Sequence, residues 1–320
     1  MLKKSNNNNL LDIACAIDDA FSYPLAVMLI SCLENNKQHK IKIHLFSANL
    51  SSKLVKLFER LVESYAQKFC FYPLTIEHFK KLPTNERISL ASYYRLIIPE
   101  IIKTDSGKFL YLDADIIVVG SLRPLFEVKL NNKILAAVND VAAVDMRMHL
   151  KHNIPENYQY FNAGVLLINK PNWIKNNATS RILNYITENK DLCLFHDQDG
   201  LNAVLFADRK SLSPKWNQQV GIYFSDKDVL LKCYSEDLTA GLKNPIIIHF
   251  NGSEKPWHQV SNHPFRKKFK SYAQKNKNIF YTEKFNLRKR IKKHIIYGLF
   301  GWINVNRYYY KKAKKLKDRN

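Results

Sequence analysis

The sequence predicts an α/β fold with a mostly parallel, doubly wound sheet flanked by helices. Three observations point there. Apolar strand-length runs alternate with amphipathic helix-length runs through the first part of the chain, the rhythm of β-α-β units. Residues 109–119, FLYLDADIIVV, are an almost unbroken apolar run, as expected of a strand buried on both faces of a parallel sheet. Polar residues gather where the apolar runs stop, and in open α/β sheets ligands bind outside the carboxyl ends of the strands.

The elements follow in order. Residues 1–9, rich in Asn, read as a flexible arm. Residues 10–17 make a first buried strand that ends at Asp18 and Asp19. Ser22 is a candidate N-cap with Pro24 in the first turn, and Leu25, Met28, Leu29, Cys32 and Leu33 mark a helix packed on a sheet. IKIHLFSA (41–48) alternates as a strand. A helix opens at Ser51 or Ser52, with Leu54, Leu57, Phe58, Leu61 and Tyr65 inward. Residues 73–86 read as loop, and 88–98 as a helix carrying Arg95 and closed by Pro99. After the central strand come a short strand at 134–138, ending in Asn139 and Asp140, and a mobile loop at 144–159. A strand at 161–169 (FNAGVLLIN) has a small-residue entry. A helix at 173–189, a turn and helix within 193–206, and a last core strand at 245–250 complete the body.

The bulk numbers bound the answer. A chain of 320 residues allows one large α/β domain with an appendage, or two ordinary domains, and 46% hydrophobic content argues against wholesale disorder. Five cysteines with no CxxC read as reduced thiols, not as a disulfide or zinc framework. Asp12 interrupts any apolar h-region, so no secretory leader is expected. The apolar stretch 295–305 is too short to span a bilayer. Of the net charge of +22, residues 266–320 carry +17, with 19 Lys/Arg against Glu283 and Asp318. The only sharp compositional boundary lies near residue 265.

Asp113 and Asp115 interrupt the central run. Side chains two apart on a strand share a face, so both can converge on one ion. Two acids there are costly to bury unless a cation or donors meet them. Hard oxygen ligands suit Mg²⁺ or Mn²⁺, which complete their shells with substrate phosphates. A bare Asp-X-Asp is more often a pair of loop-capping acids; the flanking strand and the other motifs argue for the ion. In a parallel sheet, Asp18, Asp19, Asp113, Asp115, Asp140, Asn162 and His249 share one rim, with Arg95 and Lys255 to supply positive charge. That is the inventory a nucleoside diphosphate needs.

Five motifs in order, ISLASYYRL with Arg95, LYLDADIIV, FNAGVLLIN, HDQDGLNAV and IIIHFNGSEKPWH, resemble the retaining glycosyltransferases of family 8. Within that family the likeness is to bacterial lipopolysaccharide and lipooligosaccharide α-galactosyl- and α-glucosyltransferases, and it covers roughly residues 10–260. The resemblance implies a GT-A-type (Rossmann-like) fold. It implies Mn²⁺, with Mg²⁺ as a substitute, on Asp113, Asp115 and His249. Ala16, Asp18, Asp19 and Ala114 match nucleotide-binding positions. Gly252 and Lys255 match the loop closing on the diphosphate. Arg95, Asp140, Asn162, Asp197 and Gln198 match residues around the donor sugar, with Gln198 opposite the leaving group. The implied donor is UDP-galactose or UDP-glucose, and the implied acceptor a lipid-linked oligosaccharide. Two positions depart: Ala20 stands where close relatives have Asn, and Arg87 where one galactosyltransferase subgroup has His.

A covalent route needs a carboxylate against the β-face of the sugar. Gln198 is a poor nucleophile, so front-side attack by the acceptor hydroxyl is expected, with Asp197 in reserve. The basic, aromatic tail 266–320 suits an anionic membrane surface, which places the enzyme peripherally on the cytoplasmic face of the inner membrane. No recognition fold accompanies the charge, so nucleic acid is not an expected partner. Two alternatives remain at this level: a phosphohydrolase of the haloacid dehalogenase type, because LDADIIV resembles its motif, and a non-catalytic sugar-nucleotide scaffold.

Overall fold

The computed structural model describes residues 10–75, 91–234, 238–252, 255–258, 261, 263–276, 278–279 and 287–301. The expected arm 1–9, most of the loop at 73–86, Arg87 and the basic stretch after 301 lie outside them. The chain opens with β1 (Leu10–Ala16), α1 (Ser22–Glu34), β2 (Lys40–Ser47), α2 (Ser52–Glu63) and β3 (Lys68–Pro73). Then come α3 (Ala91–Ile101), β4 (Lys108–Leu112), β5 (Ile116–Val118), α4 (Arg123–Phe126), β6 (Leu135–Ala137), α5 (Val141–Asp145), α6 (Met148–Lys151) and β7 (Val165–Asn169). α7 (Lys170–Lys175), α8 (Ala178–Glu188), α9 (Asp197–Leu205), β8 (Arg209–Ser211), β9 (Gln218–Gln219), α10 (Lys227–Tyr234), α11 (Leu238–Lys243) and β10 (Ile247–His249) lead to α12 (Arg266–Ala273) and α13 (Leu287–Phe300).

Seven strands form the main sheet in the order β3-β2-β1-β4-β7-β6-β8. Within it only β7 runs against the others, antiparallel to both β4 and β6. One apolar layer packs α1 and α2 on the sheet through Leu25, Met28, Leu29 and Phe58; another packs α3, α8 and α9 through Tyr93, Leu96, Ile182 and Leu201. This double cover explains why β1, β4 and β7 carry apolar residues on both faces.

The run 109–119 is not one strand. Its first half is β4 of the main sheet; its second half is β5, the edge of a small sheet of order β5-β10-β9. The chain changes partners across residues 113–115. Asp113 N–H donates to Gly164 O at 2.9 Å, beside the main sheet, and Asp115 O accepts from Phe250 N–H at 2.9 Å, beside the small one. Apolar content could not reveal this, because both halves are buried. The expected last core strand, β10, likewise belongs to the small sheet, antiparallel to β5 with His249 opposite Ile116.

Other expectations give way to packing. β3, with alternation too weak to signal a strand, is held by parallel pairing to β2. Pro99 lies inside α3 rather than closing it: Ile98 and Ile102 are fully buried, and Ile102 N–H bonds to Ile98 O at 2.9 Å, so tertiary contacts carry the last turn. Ser22 is the first residue of α1, and its N-cap is Phe21. The segment 144–159 is not a mobile loop; it holds α6 and buries Met148 and Ile154. The helix expected at 173–189 is two, α7 and α8, broken at Asn177 with φ +48°. The compositional boundary near 265 is not a packing boundary. α12 lies on α1, and Phe269 is fully buried with Val27, Ile30, Ile248 and Phe250, a burial that stabilises by roughly 2 kcal/mol.

Candidate active site

The partner change between the two sheets places three ligating side chains together. Asp113 and Asp115 sit in the crossing, and the register that sets His249 against Ile116 brings its imidazole beside them. Their ligand atoms all lie within 4.8 Å of one another. His249 Nε2 is 3.2 Å from Asp115 Oδ1 and 3.9 Å from Asp113 Oδ2. Adjacent ligands on an octahedral ion with bonds of about 2.1 Å stand about 3.0 Å apart, so this spacing fits a divalent cation. Gly164 lets these side chains approach: a Cβ there would fall 2.3 Å from His249 Cε1 and 2.8 Å from Asp113 Oδ2.

Charge surrounds the cluster. Arg95 bridges two acids, with Nη2 3.1 Å from Asp113 Oδ1 and Nε 3.0 Å from Asp197 Oδ2. Its Nη1 donates to Ala163 O at 2.7 Å, and its guanidinium lies over the Tyr111 ring. Tyr111 OH donates to Asp113 Oδ1 at 2.8 Å. Lys255 Nζ is 2.5 Å from Asp115 Oδ2 and donates to Phe250 O. Burial would raise the Asp115 carboxyl, but Lys255 and His249 outweigh it and hold the acid well below the usual range. Burial pushes Asp197 up to about 7, because Arg95 is shared with Asp113 and offsets only part of the cost. Asp113, Asp115 and Asp197 thus share Arg95 and Lys255, more acids than cations, a balance that suits a divalent ion.

A second group adjoins the first and is built of amides. Gln198, in the first turn of α9, donates through Nε2 to Asp140 Oδ2 at 3.2 Å and accepts at Oε1 from Ala163 N–H at 2.9 Å. Asn162 Nδ2 donates to Asp140 Oδ2 at 2.9 Å and to Gln198 Oε1 at 3.3 Å. Asp140 also caps α5, accepting from the N–H groups of Ala142 and Ala143 at 3.0 Å. His196, just before α9, has φ +50° and ψ −109°, a strained conformation held beside Tyr93, whose OH is 3.1 Å from its Nδ1.

The glycosyl transferase family 8 model matches residues 12–261. The chain belongs to this family. It is a hexosyl-transferring enzyme of GT-A-type fold, and membership sets aside the phosphohydrolase and non-catalytic alternatives. It is 28% identical to the general stress protein A of Bacillus subtilis (strain 168), over 83% of this chain and 93% of that one. It is also 28% identical to a lipopolysaccharide 1,2-glucosyltransferase of Escherichia coli, over 91% and 85% of the two chains. A lipopolysaccharide 1,3-galactosyltransferase of Salmonella typhimurium matches at 28% over 81% and 76%. Among solved structures, the galactosyltransferase LgtC in complex with donor and acceptor sugar analogs has a TM-score of 0.76 at 26% identity, covering 84% of this chain and 98% of that one.

Ala16, Asp18 and Asp19 lie at the carboxyl end of β1, which runs parallel beside β4. Asp18 Oδ1 is buried without a hydrogen-bond partner among the described residues. Ala114 is buried between the two acids. Gly252 follows β10 with φ +102°, a conformation that favours glycine. Asp199, in the first turn of α9, accepts at Oδ1 from Tyr160 OH at 2.5 Å and lies 2.9 Å from His152 Nε2. Sequence reasoning missed Asn217, buried between His249 and Asn162. Its one signal is the polar run 217–219 at an apolar boundary, whose three side chains are all buried.

Proposed function

We propose that this chain transfers a hexose from UDP-galactose or UDP-glucose to a lipopolysaccharide or lipooligosaccharide core acceptor, with retention at the anomeric carbon. The proposed cofactor is Mn²⁺ on Asp113, Asp115 and His249, with Mg²⁺ as a substitute. The observation that carries this reading is the convergence of those three side chains, cradled by Gly164, beside Arg95, Lys255 and Gln198. The acceptor class rests on the similar lipopolysaccharide glucosyl- and galactosyltransferases.

A bound divalent cation would supply neutralisation of the charge that develops on a diphosphate leaving group. The chain's own residues do the rest. Lys255 adds an ammonium beside Asp115, where that charge forms. Asp18 Oδ1 offers an acceptor that a ribose hydroxyl would satisfy. Ala16, Asp19 and Ala114 complete the nucleotide wall, and Gly252 lets the backbone turn toward the phosphates. Arg95, Asp140, Asn162 and Gln198 orient the sugar. Gln198 has its carboxamide committed to Asp140 and Ala163 N–H, so it acts as a fixed dipole. Asp197 is ion-paired with Arg95 and raised to about 7, which leaves it partly protonated at neutral pH. Both features favour front-side attack by the acceptor hydroxyl, with the departing phosphate taking the proton.

The tail is proposed to hold the enzyme on the anionic cytoplasmic face of the inner membrane. On α13, Ile291, Ile295, Leu299 and Phe300 are exposed at helical spacing, within a strongly basic sequence. No helix among the described residues is long and apolar enough to cross a membrane. Co-sedimentation of the full chain with anionic but not zwitterionic vesicles tests this part. For the reaction, the full chain is incubated with each UDP-sugar and truncated core oligosaccharides, with and without Mn²⁺, and products are read by NMR. Retained linkages formed only with metal are expected; cleavage of a phosphate ester without sugar transfer overturns the reading.

A further inference from the structure

The imidazole of the metal cluster and the amides around the donor sugar are joined by Asn217, which is fully buried. Its Nδ2 donates to Asn162 Oδ1 at 2.8 Å, and its Oδ1 lies 3.0 Å from His249 Nδ1. Amide oxygens and nitrogens exchange places by a half-turn, so the direction of such a chain needs fixed ends. Here both ends of Asn162 are fixed. Gly164 N–H, which only donates, meets one atom of its carboxamide at 2.9 Å, so that atom is the oxygen. The Asp140 carboxylate, which accepts, meets the other at 2.9 Å, so that atom is the nitrogen. Asn217 must then turn its nitrogen to Asn162 and its oxygen to His249. An oxygen facing Nδ1 requires the proton there. Nε2, the nitrogen nearest Asp115 and Asp113, is then the atom left to ligate.

We propose that Asn217 is a positioning residue that keeps a proton on His249 Nδ1, so that Nε2 is the ligating atom, and couples the cation site to the donor-sugar amides through Asn162. This rests on the metal reading proposed above. Without the Asn217 oxygen, the other tautomer becomes available. Its Nε2–H would donate to Asp115 Oδ1 across the present 3.2 Å and close the site to an ion. With the oxygen in place, ligation at Nε2 polarises Nδ1–H, tightens the bond to Asn217, and holds Asn162 against Asp140 and Gln198.

Two measurements on the full chain test this. Nitrogen NMR of ¹⁵N-histidine in metal-free protein, with His249 assigned by its loss in His249→Gln, is expected to report a proton on Nδ1. Mn²⁺ titrations followed by electron paramagnetic resonance are expected to weaken about 10- to 100-fold in Asn217→Leu. Asn217→Asp keeps an acceptor on His249 but offers no donor to Asn162. It is expected to bind Mn²⁺ within a few-fold of wild type, while losing the gain in Mn²⁺ affinity that UDP-sugar confers. An Nε2–H tautomer in wild type, or wild-type Mn²⁺ affinity in folded Asn217→Leu, overturns the role of Asn217 alone. Absence of Mn²⁺ binding by wild type overturns the metal reading and this inference with it. If Asn217→Leu does not fold, the wild-type tautomer and Asn217→Asp decide.

Discussion

The acidic half of the site and its amide half lie side by side, yet different forces hold them. In the acidic half, Asp113, Asp115 and Asp197 meet Arg95 and Lys255 at 2.5 to 3.1 Å. Two acids of that half move in opposite directions: Asp115 is held low by Lys255 and His249, while Asp197 is raised to about 7 by burial. In the amide half, Asn162, Asn217 and Gln198 carry no charge, and fixed donor and acceptor directions set their orientation. The contrast separates two tasks. On the proposed reading, charge would stabilise a leaving group, and its removal would be costly because its partners remain buried. On the same reading the Gln198 dipole would orient the donor sugar, and its removal would leave the ion pairs of the acidic half in place.

Four variants break or sharpen this contrast. Asp115→Ala carries the largest expected effect: metal-dependent transfer falls by on the order of 10³-fold or more, read as kcat/KM with the protein shown folded by circular dichroism. Wild-type activity would remove the acidic half from the chemistry. Gly164→Ala comes next, since its Cβ would displace His249, 2.3 Å away. Mn²⁺ affinity should fall roughly 10- to 100-fold, as measured by calorimetry. Gln198→Ala belongs to the amide half and should lower kcat by about 10- to 100-fold while leaving a measurable rate; complete loss would argue that Gln198 does more than orient.

The smallest effect is on stability. The folded state holds Asp197 at about 7 against an ordinary value of 3.8. Between those values the native protein binds more protons than the unfolded chain, so stability falls as pH rises through that window. Asp197→Asn removes the penalty. Its Tm relative to wild type should therefore rise between pH 5 and pH 8; an unchanged difference would place the Arg95 pairing above burial in setting this acid.

Helices α12 and α13 show the limits of composition. Both are basic with interspersed apolar residues. α12 buries Phe269 completely against α1, whereas α13 leaves Leu299 and Phe300 72% and 61% exposed. Nothing in their local sequences tells them apart; the difference lies in whether a complementary apolar face, here from α1 and β10, is within reach. Pro99 teaches the same lesson in reverse, since packing overrides a local stop signal.

By itself the sequence determined the alternation of strands and helices, the family motifs, and the acids, His249 and amides that line the site. Those are local properties, written in hydrophobic period and residue chemistry. Only the tertiary structure decided that residues 109–119 divide between two sheets, that β7 runs backward, and that Asn217 joins His249 to Asn162. Each depends on which distant strand supplies hydrogen bonds to a given backbone, and a buried apolar run reads the same whichever partner it takes.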